Sequence, residues 1–211
     1  MRAVIITGGE IRDYNFYADF FKKDDIVICA DGGVRHLKKL NINADYFLGD
    51  FDSCDFEKVK ISDCVKNAQI IRFKKEKDET DTELAINIAI EKNLKNIVIF
   101  GALGTRFDHS LANVLLLKKV LKNGVDARII NEKNEIRLID KSLSLDPVKN
   151  AFISFIAIDE VFNLTLENFK YNLSNFNLKN DTSICISNEF TNKRGNITFD
   201  KGTLLVIIST D

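Results

Sequence analysis

The sequence predicts an α/β N-terminal domain followed by an all-β C-terminal domain. Two observations lead to this prediction. In the first 140 residues, short β-branched apolar runs alternate with amphipathic stretches, a pattern typical of a mostly parallel sheet covered by helices. From about residue 151 onward the helical period disappears and apolar runs follow one another at short spacing, which is typical of an all-β domain.

In the N-terminal part, polar loops follow successive predicted strands. The predicted strands are 4–7, 26–30, 46–48, 69–73, 97–100 and 127–130. The first five run directly into Gly, Asp or Lys. Because ligands in open α/β sheets bind at the carboxyl ends of the strands, these loops are expected to form one site on a Rossmann-like sheet.

The C-terminal part is expected to form a small sandwich or half-barrel. Its predicted strands are 152–158, 162–166, 183–187, 196–199 and 204–208. Polar and glycine-containing turns are expected between them, including Asp159-Glu160 and the segment 172–175. The segment 140–150 is polar and carries the single proline, Pro147, so the predicted domains are 1–140 and 151–211.

Composition argues against several classes of function. Thirty Lys and Arg residues against thirty-one Asp and Glu residues give a net charge of −1, so no overall positive field draws the protein to nucleic acid or to a membrane surface. No stretch fits a signal peptide or a membrane span, which predicts a cytoplasmic protein. Cys29, Cys54, Cys64 and Cys185 contain no Cys-x-x-Cys pair and are expected to be free thiols.

Two acidic clusters at predicted strand ends predict a site for Mg2+ and phosphate. Asp50 and Asp52 are separated by one residue, so on an extended backbone their carboxylates point the same way. Asp78 and Asp81 stand where a helix begins, beside a capping box that starts at Thr80. Mg2+ usually takes one or two carboxylates together with phosphate oxygens and water.

Each cluster also has a structural explanation. Asp, Gly and Ser dominate turns, and acidic residues stabilise helix N-termini through the free N–H groups and the helix dipole. One acidic helix start therefore means little. Two acidic loops at neighbouring strand ends favour a functional site.

A third segment, 101–110, joins a strand to a helix, a position that favours phosphate binding. Arg106 can donate two parallel hydrogen bonds to a phosphate, and His109 can donate to an oxyanion or exchange a proton. The segment is neither a Walker A loop nor Gly-x-Gly-x-x-Gly. Asp31, followed by Gly32-Gly33, is a candidate contact for a hydroxyl or amine. His36 falls within a predicted helix, 34–40, and is expected to be structural.

The order of these residues closely resembles that of the thiamine pyrophosphokinase family. The motifs that carry the resemblance are Ala30-Asp31-Gly32-Gly33, Gly49-Asp50-Phe51-Asp52-Ser53, Asp78-x-Thr80-Asp81, Gly101-x-x-Gly104-x-Arg106-x-Asp108-His109-x-x-Ala112-Asn113 and Ile186-Ser187-Asn188-Glu189. The resemblance spans nearly the whole chain. It implies transfer of the β,γ-diphosphate of ATP to the hydroxyl of thiamine, giving thiamine diphosphate and AMP with Mg2+.

The resemblance also implies roles for individual residues. The implied catalytic and Mg2+-holding carboxylates are Asp50, Asp52, Asp78 and Asp81. The implied nucleotide contacts are Asp31, Gly101, Gly104, Arg106, Asp108 and His109. The implied thiamine contacts are Asp81, Tyr171, Ser187 and Asn188.

The resemblance further implies a homodimer with active sites between the N-terminal domain of one subunit and the C-terminal domain of the other. The domain 1–140 would bind nucleotide and metal, and 151–211 would bind thiamine and form the dimer. Some relatives present a tryptophan to thiamine, whereas this chain has none and Tyr171 occupies roughly that place. Thr105 stands where many relatives have a second glycine.

Two alternatives remain open from the sequence. One is a pyrophosphokinase or kinase that acts on another heterocyclic alcohol, because acidic and phosphate-binding motifs serve phosphoryl chemistry whatever the acceptor. The other is a non-catalytic module that binds nucleotide or thiamine without turnover.

Overall fold

The computed structural model of the chain describes residues 1–50, 63–74, 76 and 78–211. Within these residues the chain divides into two compact units, Met1–Glu132 and Lys133–Asp211. The prediction of an α/β N-terminal part and a strand-rich C-terminal part is confirmed. Strand pairing across the chain is mixed, because the described pairs are parallel in the first unit and antiparallel in the second.

The first unit contains a parallel sheet with the strand order β4-β3-β2-β1-β5-β6. Its strands are β1 (Arg2–Ile6), β2 (Asp25–Ala30), β3 (Tyr46–Gly49), β4 (Gln69–Arg72), β5 (Asn96–Phe100) and β6 (Asp126–Ile130). Its helices are α1 (Tyr14–Ala18), α2 (Val34–Leu40), α3 (Asp81–Glu91) and α4 (Phe107–Lys122). Short 3-10 turns occupy Asp31–Gly33 and Asp63–Val65. Each strand predicted in this part corresponds to an observed strand.

The strand order changes direction at β1. The chain first adds β2, β3 and β4 on one side of β1, and then places β5 and β6 on the other side. Sheets of this kind leave a crevice where the order reverses, outside the carboxyl ends of the strands. The loops after β1, β2 and β5 are therefore brought to one edge of the sheet.

Apolar strand residues form the core of the first unit. Val4, Ile6 and Phe47 are fully buried on strands β1 and β3. Phe100, at the end of β5, packs edge-to-face against Tyr17 of α1 with ring centroids 4.9 Å apart. This packing holds the end of β5 in place, and the loop that follows it begins from a rigid position.

The second unit is built around one long strand, β9. Its strands are β7 (Asn134–Ile139), β8 (Leu143–Leu145), β9 (Phe152–Glu167), β10 (Leu173–Leu178), β11 (Asn188–Glu189), β12 (Gly195–Thr198) and β13 (Lys201–Ser209). β9 pairs with β10, β11, β12 and β13, while β7 pairs with β13 and β8 with β12. β7 precedes the polar segment 140–150 in the chain but belongs to this second unit.

The structure corrects several predicted strand limits in this unit. The turn predicted at Asp159-Glu160 is wrong, because β9 continues through both residues. The pairing of β9 with β13 shifts register between Lys201 and Leu204, so an irregularity takes the place of a chain reversal. The strand predicted at 183–187 is also wrong, and a two-residue strand follows it at Asn188–Glu189.

The turn predicted at residues 172–175 is wrong. These residues have turn chemistry, yet Leu173–Leu178 forms β10. Asn175 adopts a positive φ of 48°, and the β9–β10 register shifts on either side of Phe176. Asn tolerates this left-handed conformation, so the irregularity fits inside a strand.

Two further predictions concern cysteines and membranes. Cys29, Cys64 and Cys185 are buried thiols, and Cys54 lies outside the described residues. Over the parts of the chain that the structure describes, no helix combines the length and apolar character that a membrane span requires.

Candidate active site

A cavity of about 760 Å3 lies at the carboxyl ends of β1, β2 and β5. Its wall comes from the loop after β1 (7–10), from Asp31 and Gly32 after β2, from the start of α3 (80–82), and from 101–106 after β5. Arg35 of α2 and the first turns of α4 complete it. Four of the polar loops predicted to meet at one edge of the sheet thus contribute to one cavity.

Glycines allow these loops to touch backbone to backbone. Gly9 N–H donates to the carbonyl oxygen of Gly101 at 2.8 Å, and a Cβ on Gly9 would lie only 2.0 Å from that oxygen. A Cβ on Gly33 would similarly lie 2.3 Å from the Ile6 carbonyl oxygen. Thr7 Oγ1 also donates to the Gly101 carbonyl at 2.5 Å. These close backbone contacts are possible only because Gly9 and Gly33 have no side chain.

The loop 101–106 is held by helix α4. Asn113, which is buried, donates from Nδ2 to the Ala102 carbonyl oxygen at 2.7 Å. Ser110 Oγ accepts a hydrogen bond from Gly104 N–H at 3.1 Å. These bonds tie the loop to α4, which begins at Phe107 without a side-chain cap.

Helix α2 holds the loop after β1 through its carbonyl groups. Arg35 donates from Nη2 to the carbonyl oxygens of Gly8 and Gly9. His36 Nε2 lies 2.8 Å from the Gly9 carbonyl oxygen, and its Nδ1 lies 2.8 Å from the hydroxyl of Tyr14. Because a carbonyl oxygen only accepts, Nε2 carries a proton, and in the neutral imidazole Tyr14 then donates to Nδ1. The prediction that His36 is structural agrees with this arrangement.

Burial lowers the pKa of His36 below its ordinary value of 6.5. The hydrogen bond to the Gly9 carbonyl opposes this shift, whereas the nearby charges of Arg35 and Lys39 add to it. The lowered pKa favours the neutral imidazole, in which Nε2 donates to the Gly9 carbonyl and Nδ1 accepts from Tyr14.

Six of the predicted site residues line the cavity. They are Asp31, Asp81, Gly101, Gly104, Arg106 and His109. Asp50 follows β3 and is partly buried. Its neighbour Gly49 lies against Asp31, since a Cβ on Gly49 would be 3.1 Å from the Asp31 Cβ. Asp78 is exposed and is not part of the cavity wall. Asp52 lies outside the described residues.

Asp108 is not part of the cavity wall and forms an ion pair with Arg106. The two side chains are 2.6 Å apart and largely exposed. Hydrogen bonds from Arg106 and from the His109 backbone lower the pKa of Asp108 to about 2. Asp108 therefore stays charged and holds the Arg106 guanidinium. Its contact with a nucleotide stays a prediction.

One half of the predicted capping box, the Thr80 cap, is present at the start of α3. Thr80 Oγ1 accepts a hydrogen bond from Glu83 N–H at 3.2 Å. The Glu83 carboxylate forms an ion pair with Lys119 of α4 at 2.8 Å. Thr80 and Glu83 therefore have structural tasks, and Asp81 is the acidic residue of this helix start that lines the cavity.

Among the residues that the structure describes, no group of three or more His, Cys, Asp and Glu side chains could hold a metal ion. Asp31 and Asp81 nevertheless place two carboxylates in the cavity wall. Mg2+ commonly takes one or two carboxylates and completes its octahedron with phosphate oxygens and water. The donor set fits an ion held mainly by a phosphorylated ligand.

In the second unit, the predicted thiamine contacts lie next to one another. Asn188 is buried, accepts from Tyr171 N–H at 3.0 Å, and donates to the Tyr171 carbonyl at 2.7 Å. Ser187 precedes it with a positive φ of 56°. Tyr171 is 60% exposed, and the Lys170 ammonium lies 5.5 Å from the centroid of its ring. The structure thus assigns Asn188 the task of holding the backbone of Tyr171.

Sequence reasoning missed Arg35, Glu10 and Asn113 as parts of the cavity wall. Arg35 had a usable signal, because it follows Asp31-Gly32-Gly33 at the start of a predicted helix. Glu10 carried no comparable pattern. Asn113 belongs to a quoted family motif but was not among the predicted contacts.

The fold and the cavity define a class, proteins that bind a phosphorylated ligand. The parallel sheet has glycine-packed loops where its strand order reverses, and the cavity wall there combines guanidinium groups with carboxylates. Such a site is suited to phosphate groups.

Comparisons with known proteins identify the family within this class. A family model described as thiamin pyrophosphokinase, catalytic domain, matches residues 17–129, and a second, described as thiamin pyrophosphokinase, vitamin B1 binding domain, matches residues 136–204. The thiamine pyrophosphokinase of Bacillus subtilis (strain 168) is 36% identical over 215 aligned positions, which cover 98% of each chain. The chain belongs to the thiamine pyrophosphokinase family, so the family and the enzyme class predicted from the sequence are confirmed.

Solved structures show the same relationship. The crystal structure of the Bacillus subtilis thiamine pyrophosphokinase is similar with a TM-score of 0.90 and 34% identity, covering 100% of both chains. That of the thiamin pyrophosphokinase from Geobacillus thermodenitrificans has a TM-score of 0.87 and 30% identity, covering 100% of this chain and 98% of the other. The similarity therefore includes both compact units.

Proposed function

We propose that the protein transfers the diphosphate group of ATP to the hydroxyl of thiamine, giving thiamine diphosphate and AMP. The observation that carries the proposal is the family match across both units, with a relative 36% identical over 98% of the chain. The cavity supports it, because guanidinium and carboxylate groups meet there at the carboxyl ends of parallel strands.

In this reaction the thiamine hydroxyl oxygen attacks the β-phosphorus of ATP. A bond forms between that oxygen and the β-phosphorus, the bond from the β-phosphorus to the oxygen bridging it to the α-phosphorus breaks, and AMP leaves with that oxygen. The hydroxyl proton must be lost. Asp81 is our candidate to orient the hydroxyl and accept this proton, because its carboxylate lines the cavity.

Positive and polar groups in the wall bind the phosphates. Arg106 can donate two parallel hydrogen bonds to phosphate oxygens, and the ion pair with Asp108 holds it at the rim. His109 lines the cavity in the first turn of α4 and can donate to a phosphate oxygen. Asp31, Gly101 and Gly104 form the remaining nucleotide side, where glycine lets a ligand approach the backbone closely.

Mg2+ is the proposed metal. Asp31 and Asp81 in the wall, with Asp50 beside Asp31, would hold it, and the assignments of Asp52 and Asp78 rest on the family resemblance. When bound, Mg2+ neutralises charge on the phosphate oxygens.

The thiamine contacts are proposed for Asp81, Tyr171, Ser187 and Asn188. Tyr171 is exposed, and an aromatic ring face can attract a cationic thiazolium. Asn188 would act by holding the Tyr171 backbone in place.

The finer structural assignments belong to the same proposal. We propose a Rossmann-like first domain, a sandwich-like second domain that binds thiamine and forms the dimer, and a cytoplasmic homodimer with active sites at the subunit interface.

An exposed apolar stripe on α4 supports a protein contact beside the cavity. Phe107, Leu111 and Leu115 are 77%, 44% and 49% exposed on one helix face.

The test is a time course with ATP, MgCl2 and thiamine that resolves AMP, ADP and thiamine phosphates by chromatography. We expect AMP and thiamine diphosphate to form in equal amounts, and only with thiamine present. ADP with thiamine monophosphate would indicate a simple kinase. Turnover with another heterocyclic alcohol alone would change the acceptor, and nucleotide binding without turnover would indicate a binding module.

A further inference from the structure

The charged residues of the cavity wall differ in whether they form an ion pair. Arg106 forms an ion pair with Asp108 at 2.6 Å, and Glu10 forms one with Arg12 at 2.9 Å. Arg35 also lines the cavity, yet among the described residues it forms no ion pair with a carboxylate. A polyphosphate carries several negative charges, so this guanidinium is available to neutralise one of them.

The guanidinium of Arg35 is also held in place. Its Nη2 donates to the carbonyl oxygens of Gly8 and Gly9. Its Nε lies 3.4 Å from His36 Nε2, which itself donates to Gly9 and so does not accept from Arg35. The other terminal nitrogen, Nη1, makes no hydrogen bond within the described part of the chain. Nη2 is therefore anchored to the loop, while the N–H groups of Nη1 can still donate to a ligand.

The loop that anchors Arg35 borders the phosphate side of the cavity. Gly9 lies against Gly101 at 2.8 Å, and Gly101 begins the loop that leads to Arg106. Arg35 and Arg106 thus border one cavity from different elements, α2 and the loop before α4. Planar guanidinium groups on different walls can contact different oxygens of one extended anion.

We propose that Arg35 is a phosphate-binding residue of this cavity, anchored by the Gly8 and Gly9 carbonyls and donating to the polyphosphate chain of the nucleotide. This inference rests on the proposed function for the identity of the nucleotide. The binding of an inorganic polyphosphate tests it separately.

The experiment compares the full-length wild type, Arg35→Gln and Lys38→Gln. Lys38→Gln removes the same charge from an exposed position on the same helix, outside the cavity wall. Binding of inorganic tripolyphosphate in buffer with MgCl2 is measured by calorimetry. We expect Arg35→Gln to weaken binding by about tenfold or more, the factor that hydrogen bonds to a charged group provide, and Lys38→Gln to match the wild type within about twofold.

Steady-state kinetics separate phosphate binding from loop positioning. A phosphate contact predicts a raised KM for ATP in Arg35→Gln with the KM for thiamine little changed. Arg35→Lys keeps the charge and should recover part of the ATP affinity. A purely structural role would instead lower thermal stability and alter both KM values, while tripolyphosphate affinity stays at the wild-type value. That result would overturn the proposal.

The outcomes also distinguish this inference from the proposed function. If the wild type shows no thiamine-dependent AMP release, the proposed function fails, but the tripolyphosphate comparison still tests Arg35. If Arg35→Gln does not fold, Arg35→Lys is used for the binding measurement. Lysine lacks the planar fork, so we expect affinity to fall by about threefold or more, and unchanged affinity would overturn the proposal.

Discussion

Asp81 is the first residue of α3 and also lines the cavity. As a residue of the first helical turn it contributes through the helix dipole, a contribution of about 0.3–1 kcal/mol. As a cavity residue it is our candidate to orient the thiamine hydroxyl and accept its proton. Removing the negative charge would change stability through the first role and turnover through the second.

We expect Asp81→Asn to abolish turnover while the fold persists, because the amide keeps the shape and removes the charge. General base catalysis contributes about 10²–10⁴-fold, so activity should fall by at least that range. Glu91→Gln, at the other end of the same helix and outside the cavity, is the control. Product formation and thermal unfolding are measured together. Wild-type turnover in a folded Asp81→Asn protein would rule out the role.

His36 predicts how stability depends on pH. Its pKa is lowered in the folded protein, first by burial and then by the charges of Arg35 and Lys39. Below the unfolded-state pKa, near 6.5, the unfolded chain binds a proton that the folded protein resists. The contribution of His36 to stability is therefore lost progressively as pH falls from about 6.5 through the folded-state pKa.

Urea unfolding at pH 7.5 and pH 5.5 checks this sign. His36→Gln should lose less stability over that interval than the wild type, because the titrating group is gone. His109→Gln, which removes the exposed histidine, serves as the matched control. An equal loss of unfolding free energy in wild type and His36→Gln would contradict the prediction.

Tyr171 is the residue on which the thiamine assignment depends most. We expect Tyr171→Ala to raise the KM for thiamine by about 2- to 30-fold, the range of a cation–π contact, with the KM for ATP unchanged. Tyr171→Phe keeps the ring and should stay near wild type. If Tyr171→Ala has the wild-type KM for thiamine, the aromatic contact lies elsewhere.

At the level of elements, the cavity depends on contacts between loop backbones. β1 and β5 are neighbouring parallel strands, so the loops that follow them start side by side. Gly9 and Gly101 then meet at hydrogen-bonding distance, 2.8 Å. No side chain fits between them, which explains why glycine occupies these positions.

Two alanine substitutions test this packing. Gly9→Ala places a Cβ 2.0 Å from the Gly101 carbonyl oxygen, so the loops must separate, and we expect a loss of about 1–3 kcal/mol of stability together with nucleotide binding. Gly104→Ala places its Cβ 3.9 Å from Glu10 N, so the folded protein should keep its stability. Chemical denaturation is measured for both variants, and ATP binding for Gly9→Ala against the wild type. Equal behaviour of the two variants would show that the close contact is unimportant.

For the whole molecule, the exposed stripe on α4 bears on assembly. Leu111 lies at its centre, between Phe107 and Leu115, and is 44% exposed. We expect light scattering to show a dimer for the wild type and a shift toward monomer for Leu111→Lys, because a charge would be buried in an apolar contact. Val148→Lys, at another exposed apolar residue, is the control. A dimeric Leu111→Lys protein would place the interface elsewhere.

Much of the first unit was predictable because its strands are buried and apolar, with glycine or aspartate directly after them. The predicted strand 4–7, followed by Gly8, and the strand ending at Phe100, followed by Gly101, fit this pattern. The second unit was harder. Strand pairing around β9 depends on partners far away in the chain, and Asn175 adopts its left-handed conformation inside a strand, where the sequence favoured a turn.

The sequence by itself determined the alternation of strands and helices, the polar loops at strand ends and the family, because these follow from local periodicity and from motifs in order. Only the tertiary structure decided which of those residues meet. It placed Asp81 and Arg106 in one cavity, directed Asp108 onto Arg106, and added Arg35. The physical reason is that cavity walls are made by residues distant in sequence, whose contacts depend on strand order and on backbone packing at glycines.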